Sequence, residues 1–422
     1  MTAPNRVERH GANADHPKLR PVEARLVDHD GQSFVYLRDP LGLSDRSVLV
    51  PWAMAPLLAL CDGSRTEGEL RAALLFRTGL DLPAAQVQAV LAGLDEALLL
   101  ENDAFLRVSE KALSAYRRAP SRPVSREGLV FPSEPEALKT ALDVYGSGVV
   151  DATGPSTARG RLAGVVSPHI DFERGGETYA RLWQACAADL QGVERVIVFG
   201  TDHAGGPGAI TPTAQNYATP LGVLPTDRRT VDGLADVLGR DHAFSEELHH
   251  VNEHSIELAL VWLHHQMGGR ACPVVPVLCG SFQHFIDGQE DVRESDAIDA
   301  TVSYLREAAA ERRTLVLAAA DLAHVGPAFG DPAPIDAARR SEVAARDAAS
   351  IAAICDGDAD AFLALSIAEG DARRVCGISP IYMALRCLDG VRGESVGYAQ
   401  CPADADGGSL VSIVGVSLYD RV

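Results

Sequence analysis

Three short apolar runs, each leading into a histidine, limit what this chain can fold into. Val196-Ile197-Val198-Phe199 is closed by Gly200 and followed by Asp202 and His203. LAGVVSPHID, residues 162–171, leads to His169, and TLVLAAADLAHVG, residues 314–326, leads to Asp321 and His324. A short, β-branched run without polar alternation reads as a strand covered on both faces, as in a parallel sheet. Ligands of open α/β sheets sit beyond the carboxyl ends of the strands. Three strands that each deliver a histidine to that edge predict one polar site.

The 422 residues exceed one compact core, so two domains are expected. No apolar run reaches membrane-spanning length, and the polar start MTAPNRVERHGANADHPKLR lacks a signal-peptide core. A soluble, cytoplasmic protein with no membrane partner is the expectation. A net charge of −20 argues against nucleic acid or an anionic membrane as partner. The eight cysteines show no CxxC spacing, which argues against a zinc ribbon or thioredoxin-type site. Most should be reduced, buried, small hydrophobes.

Residues up to about Pro17 read as a mobile tail. A small domain is predicted over 18–113. Phe34-Val35-Tyr36-Leu37 reads as a strand, and WAMAPLLALCDGSRT as a short helix stopped at Asp62-Gly63. Thr66 can cap a helix over 67–77, with Glu69 completing a capping box. Another helix runs from Pro83 to about Leu98. LLENDAFLRVS then reads as a hairpin turning at Asn102-Asp103. Helices followed by a hairpin make a winged-helix pattern. CDGSRTEGELRAALLFRTGLDLPAAQVQAVLAGLDEALLLEN resembles the PqqD-like domains. That resemblance implies peptide capture by strand addition; a purely structural winged helix and DNA binding are the alternatives. The recognition-helix candidate, 84–98, carries no Lys or Arg, which disfavours DNA.

Residues 114–150 are predicted as a linker, rich in Arg, Pro and Ser over 116–128, with a leading helix over 134–144. The second domain is 151–422. Strands near 165–166, 196–199, 274–278, 315–317 and 411–416 alternate with helices near 178–190, 230–238, 255–267, 296–310, 336–354 and 379–388. This alternation predicts an α/β three-layer domain with a mostly parallel sheet, its last strand at an edge.

Imidazole is a common metal ligand, and acidic neighbours such as Asp171, Asp202 and Asp321 can orient it. Other patterns compete. HVNEH, His250 to His254, spells HxxEH, an inverted zinc-protease motif that needs both histidines on one helix. Asn252 reads instead as the cap of a helix opening at Ser255, leaving His250 outside. Gly205-Gly206-Pro207-Gly208 lacks the Gly-Lys-Ser/Thr ending of a phosphate loop and reads as a turn. His264-His265 fit a helix end, where imidazolium suits the dipole. TPLG, 219–222, reads as a tight loop. No GxSxG is present.

SPHIDFERGGETYA, VFGTDHAG, ATPLGVLPTD, NEHSIELALVWL, VVPVLCGSF, AAADLAHVGPAFGD and VCGISPIYMALRCL follow one another along residues 164–417. Together they resemble the Memo family, which includes the B component of the bacterial Ammecr–Memo–radical-SAM (AmmeMemoRadiSam) systems. The resemblance implies a fold similar to the class III extradiol dioxygenases. It makes His169, His203 and Cys376 the metal ligands and puts Asp321, His324 and His254 beside them. His324 matches the acid–base histidine of the extradiol relatives, and His254 would hydrogen-bond to bound oxygen or substrate. Residue reading alone does not select Cys376 from eight cysteines, although Gly377 and the helix start at Ser379-Pro380 favour a thiolate there. The dioxygenases use two histidines and a carboxylate; a cysteine in that place makes a softer site. Ile170-Asp171-Phe172 also stand where another branch of the family has Gly-Tyr. The implied cofactor is Fe(II), with Cu or Zn as alternatives. The implied function is an iron-dependent, extradiol-type oxidoreductase working beside radical-SAM and Ammecr-type proteins. The rival is a non-enzymatic iron- or copper-binding protein, or a peptide-binding scaffold.

Overall fold

The computed structural model describes residues 15–148 and 160–421. The expected tail falls almost wholly outside them, as does the predicted boundary at 150–151. The chain divides into two compact units, one ending at Arg118 and one beginning at Ala119. Among the described residues no helix is long and apolar enough to cross a membrane.

In the first unit β1 (Glu23–His29), β2 (Gln32–Arg38) and β3 (Ser47–Pro51) form an antiparallel sheet in that order. Asp30 and Gly31, both at positive φ, make the tight turn between β1 and β2. Helices Ala55–Leu60, Glu67–Thr78, Ala84–Glu96 and Asp103–Arg118 follow. The capping box forms as expected: Thr66 Oγ1 accepts the Glu69 N–H, and the Glu69 carboxylate accepts the Thr66 N–H at 2.7 Å. Leu57, Leu60, Leu70, Leu74 and Val87 close the helical core.

The expected hairpin at the end of this unit is overturned. Residues 103–118 are helical, because Asn102 caps a helix instead of turning a hairpin. Its Oδ1 accepts the N–H groups of Ala104 and Phe105 at 3.0 and 3.1 Å. Asparagine serves both roles, since its short amide reaches backbone N–H groups in either. The strands of this unit therefore precede its helices.

The second unit contains β4 (Leu162–Ser167), β5 (Arg195–Thr201), β6 (Ile210–Pro212), β7 (Tyr217–Thr219), β8 (Gly222–Leu224), β9 (Val274–Cys279), β10 (Thr314–Ala319), β11 (His324–Val325), β12 (Val391–Pro402) and β13 (Leu410–Asp420). The main sheet runs β11-β13-β4-β10-β5-β9-β6, with β12 also paired to β13. Its centre, β4-β10-β5-β9, is parallel; β6, β11, β12 and β13 pair antiparallel. The last strand is not an edge, because β13 bonds to β4, β11 and β12.

Side chains alternate across this sheet. Val196 and Val198 enter one core, Ile197 and Phe199 the other. Helices Pro135–Gly146, Phe172–Cys186 and Ser255–Gln266 cover the first face through Leu138, Trp183 and Leu260. Helices Arg228–Leu238, Asp296–Ala310, Ala359–Ala368 and Ile378–Cys387 cover the second through Leu234, Ile298, Phe362 and Ile381. Three layers result, and the unbroken apolar strands follow from burial on both sides. Truncating the fully buried Phe199 to Ala would cost about 3–5 kcal/mol.

Residues 119–131 do not behave as the expected free linker. Arg122 is wholly buried against the helix Ser255–Gln266, and Phe131 stacks on Phe172 with ring centroids 5.6 Å apart.

Candidate metal centre

The parallel strands end together, and the polar residues follow their ends. His169 comes two residues after β4, His203 two after β5, and Asp321 two after β10. Cys376 enters on the turn before the helix Ile378–Cys387, whose N-cap is Gly377. A Cβ at Gly377 would lie 2.5 Å from the Asp321 carbonyl oxygen and 2.6 Å from Ala320 Cβ. Glycine there lets the cysteine turn press against the end of β10.

His169, His203 and Cys376 meet: one ligand atom from each lies within 4.8 Å of the others. Cys376 Sγ is 3.3 Å from His169 Nε2. Donors sharing one ion at ordinary metal–N and metal–S lengths sit roughly 3–4.5 Å apart, so the spacing fits. Each imidazole is aimed by its other nitrogen. His169 Nδ1–H donates to the Ala319 carbonyl at 3.0 Å, and His203 Nδ1–H to Glu253 Oε2 at 3.0 Å. Both Nε2 atoms are thereby left as acceptors.

The carboxylates around the histidines are bound to backbone. Asp321 Oδ1 accepts the His169 and Ile170 N–H groups at 2.8 and 3.3 Å, and Oδ2 lies 3.7 Å from His169 Nε2. Glu253 Oε2 also accepts the His203 N–H, while Oε1 accepts those of His254 and Ser255 at 2.7 and 2.9 Å. Glu253 therefore ties His203 to the start of the helix Ser255–Gln266.

His254 is the N-cap of that helix, not Asn252 as expected; Asn252 ends the preceding turn, His249–Asn252. The His254 ring stacks on His203 at 5.0 Å and stands edge-on to His169 at 5.5 Å. His324 lies in β11, its Nδ1 3.1 Å from the Leu322 carbonyl and its ring against Phe329.

Charge in the cluster is strongly coupled. Burial opposes ionisation of Cys376, yet His169 and His324 hold its thiol well below the usual range. Burial likewise opposes charge on His169, but Asp321 and the thiolate raise it to about 9. Against the same penalty, Glu253 raises His203 well above its ordinary value, and His203 in turn holds the Glu253 carboxyl low. Burial lowers His254, which stays neutral. Two proton-seeking imidazoles facing a thiolate form a pocket that favours positive charge, and a metal ion can take the place of those protons.

A cavity of ≈ 250 Å³ opens onto His203 and Cys376. Phe282, Ile286 and Ile378 give it apolar wall; Ser281, Asp371 and Arg374 give it polar rim.

The competing patterns resolve structurally. His250 is buried away from the cluster: Tyr217 Oη donates to its Nδ1 at 2.5 Å and its Nε2–H donates to the Thr211 carbonyl at 2.9 Å. The extended backbone at Glu253 breaks the helix between His250 and His254, so HxxEH does not lie on one helix. The Gly205–Gly208 turn binds a carboxylate from its own chain, Gly206 N–H donating to Glu246. His264 pairs with Thr219 Oγ1 at 2.7 Å and His265 with Asp143 at 3.0 Å. A further group that could hold a metal, Asp202, Glu246 and His249, went unnoticed in the sequence. The family resemblance implies that Glu253 faces the site from the helix start, but not its hold on His203.

Comparison with known proteins bears chiefly on the second unit. The family described as "Memo-like protein" matches residues 122–417. A MEMO1 family protein of Aquifex aeolicus is 26% identical over 324 residues, covering 77% of this chain and 79% of the relative. One from Thermus thermophilus is 25% identical over 339 residues, covering 79% and 93%. One from Methanopyrus kandleri is 30% identical over 209 residues, covering 47% and 68%.

Proposed function

From the premise that this chain belongs to the Memo family, its family match spanning residues 122–417, we propose that it is a mononuclear metal protein of the cytoplasm. His169, His203 and Cys376 hold the ion, and an extradiol-type oxidation is the reaction. The observation that carries this reading is the convergence of two Nε2 acceptors and one thiolate at spacings a single ion can bridge. Fe(II) is the metal this reading favours, with Cu or Zn the alternatives. Bound there, it would supply Lewis acidity and redox capacity.

The protein's own groups do the rest. The cavity admits one small, ring-sized substrate beside the ligands. His324 takes a proton from a substrate hydroxyl and returns it to the product. His254, neutral and stacked on His203, offers a hydrogen bond to the substrate. Asp321 fixes the His169 backbone and balances charge. An aromatic diol fits this division of labour.

Radical-SAM and Ammecr-type proteins are the partners we propose, with the first unit, read as a PqqD-like module, holding a peptide by strand addition to its three-stranded sheet. One observation favours a second reading: the thiolate donor is soft and suits Cu(I) or Zn held without turnover. Oxygen uptake by anaerobically iron-loaded protein with a panel of catechols separates the two. Uptake that is lost in His324→Ala while iron is retained supports the oxidoreductase. No uptake with any diol leaves the metal-holding protein.

A further inference from the structure

Arg122 is the residue most deeply committed to the site from outside it. It is fully buried, and so is its ion-pair partner Glu257 in the first turn of the helix Ser255–Gln266. Its remaining donors go to main chain and to Ser125, whose Oγ accepts from Nη2 at 3.2 Å. Nε donates to the His250 carbonyl at 2.6 Å and Nη2 to the Glu253 carbonyl at 2.7 Å. These carbonyls flank the break between the turn His249–Asn252 and the helix that follows. Nη1 also reaches the Pro123 carbonyl at 2.7 Å, and the Arg122 N–H donates to the Asn216 carbonyl at 2.7 Å. Neighbours lock the strap: Ser125 and Arg126 N–H groups donate to the Glu257 carboxylate at 3.1 and 2.9 Å.

The break matters because of what it aims. Glu253 is extended there, at φ −69° and ψ 131°, and this turns its carboxylate onto the backbone N–H and the Nδ1–H of His203. A guanidinium's planar fork can hold two carbonyls and a carboxylate in one fixed geometry; an ammonium cannot. We infer that Arg122 is a positioning residue of the metal centre: it fixes the Glu253 backbone, so that Glu253 presents His203 Nε2 to the ion. This rests on the metal-centre reading above. It adds that a strap some 80 residues before His203 sets the site's affinity, through hydrogen bonds and without touching a ligand.

The test uses the full chain and Co(II), whose thiolate charge-transfer and ligand-field bands report affinity and geometry together. Arg122→Gln should bind Co(II) at least tenfold more weakly than wild type, with shifted ligand-field bands. Arg195→Gln is the control. Arg195 is equally buried and paired with Asp227, but it lies at the opposite end of β5. That variant should lose thermal stability and keep the wild-type affinity and spectrum. Where Arg122→Gln does not fold, Arg122→Lys decides: it keeps a charge for Glu257 but cannot span both carbonyls, and should bind several-fold more weakly. Wild-type affinity in a folded Arg122 variant overturns the inference and leaves the metal centre standing. Absence of Co(II) binding by wild type removes both.

Discussion

One oxygen of Glu253 holds His203 by two handles. Oε2 accepts both the backbone N–H and the Nδ1–H of His203, each at 3.0 Å. The other oxygen accepts two N–H groups at the helix start, so the carboxylate is saturated and His203 has one orientation. Such partners of a ligating histidine commonly contribute 10–100-fold to metal affinity. Glu253→Gln keeps the shape but loses the charge and one acceptor. We expect about a tenfold or greater loss of Zn(II) or Co(II) affinity, measured by chelator competition, with the fold intact by circular dichroism. Unchanged affinity would show that the His203 orientation does not depend on this carboxylate.

Cys376 should stand apart chemically from the other cysteines. His169 and His324 hold its thiol low, while burial pushes Cys61 and Cys401 up to about 11 and Cys387 up to about 12. Thiolate is the reactive form. In metal-free protein, iodoacetamide at pH 6 should label Cys376 and leave these three unmodified, as mass spectrometry of peptides would show. A depressed thiol stays ionised as pH falls, so labelling should persist below pH 7, where an ordinary cysteine goes silent. Prior loading with Zn(II) should block it.

His324→Ala separates proton chemistry from metal binding. The side chain is not one of the three converging ligands, so metal content should stay near the wild-type level. Removing this imidazole should nevertheless move the pH midpoint of Cys376 alkylation upward, because His324 helps ionise the thiol. A variant that loses its metal would instead make His324 a ligand.

Asp371 predicts a stability signature. Burial raises its carboxyl from 3.8 to about 6. The folded state therefore takes up a proton at higher pH than the unfolded chain. This group favours folding increasingly as pH falls from above 6 toward 4, and opposes it above 6. Its side chain is partly open to solvent, so we discount the effect to about 1–2 kcal/mol. Asn suits the left-handed backbone at 371 (φ 50°) and can still accept the Val375 N–H. Asp371→Asn should therefore raise stability at pH 7.5 and flatten its pH dependence in urea titrations. Identical profiles for variant and wild type would contradict the assignment.

How far the sequence could be read follows from burial and spacing. The central strands announced themselves because both faces are covered, as Val196 to Phe199 illustrate. Strand β12 did not: VRGESVGYAQCP is half exposed and interrupted by two glycines, so neither alternation nor an apolar run marks it. Composition made residues 116–128 look like a linker, although Arg122 is among the most deeply buried side chains. Arg, Pro and Ser say nothing of whether a guanidinium has a carboxylate waiting. At the site, His169 and His203 were visible as strand-end histidines. Cys376 was one thiol of eight, picked out by family resemblance, and its structural mark is the close approach that Gly377 permits. The grip of Glu253 on His203 joins residues fifty positions apart and leaves no local trace.

Metal analysis of anaerobically purified protein, beside Cys376→Ala, bears most directly on whether these residues form one centre. The account predicts close to one Fe, Cu or Zn per chain in the wild type, and a loss of most of it in the variant with the fold preserved. A wild-type protein that binds none of these ions when supplied, or a Cys376→Ala variant that holds as much as wild type, would contradict it.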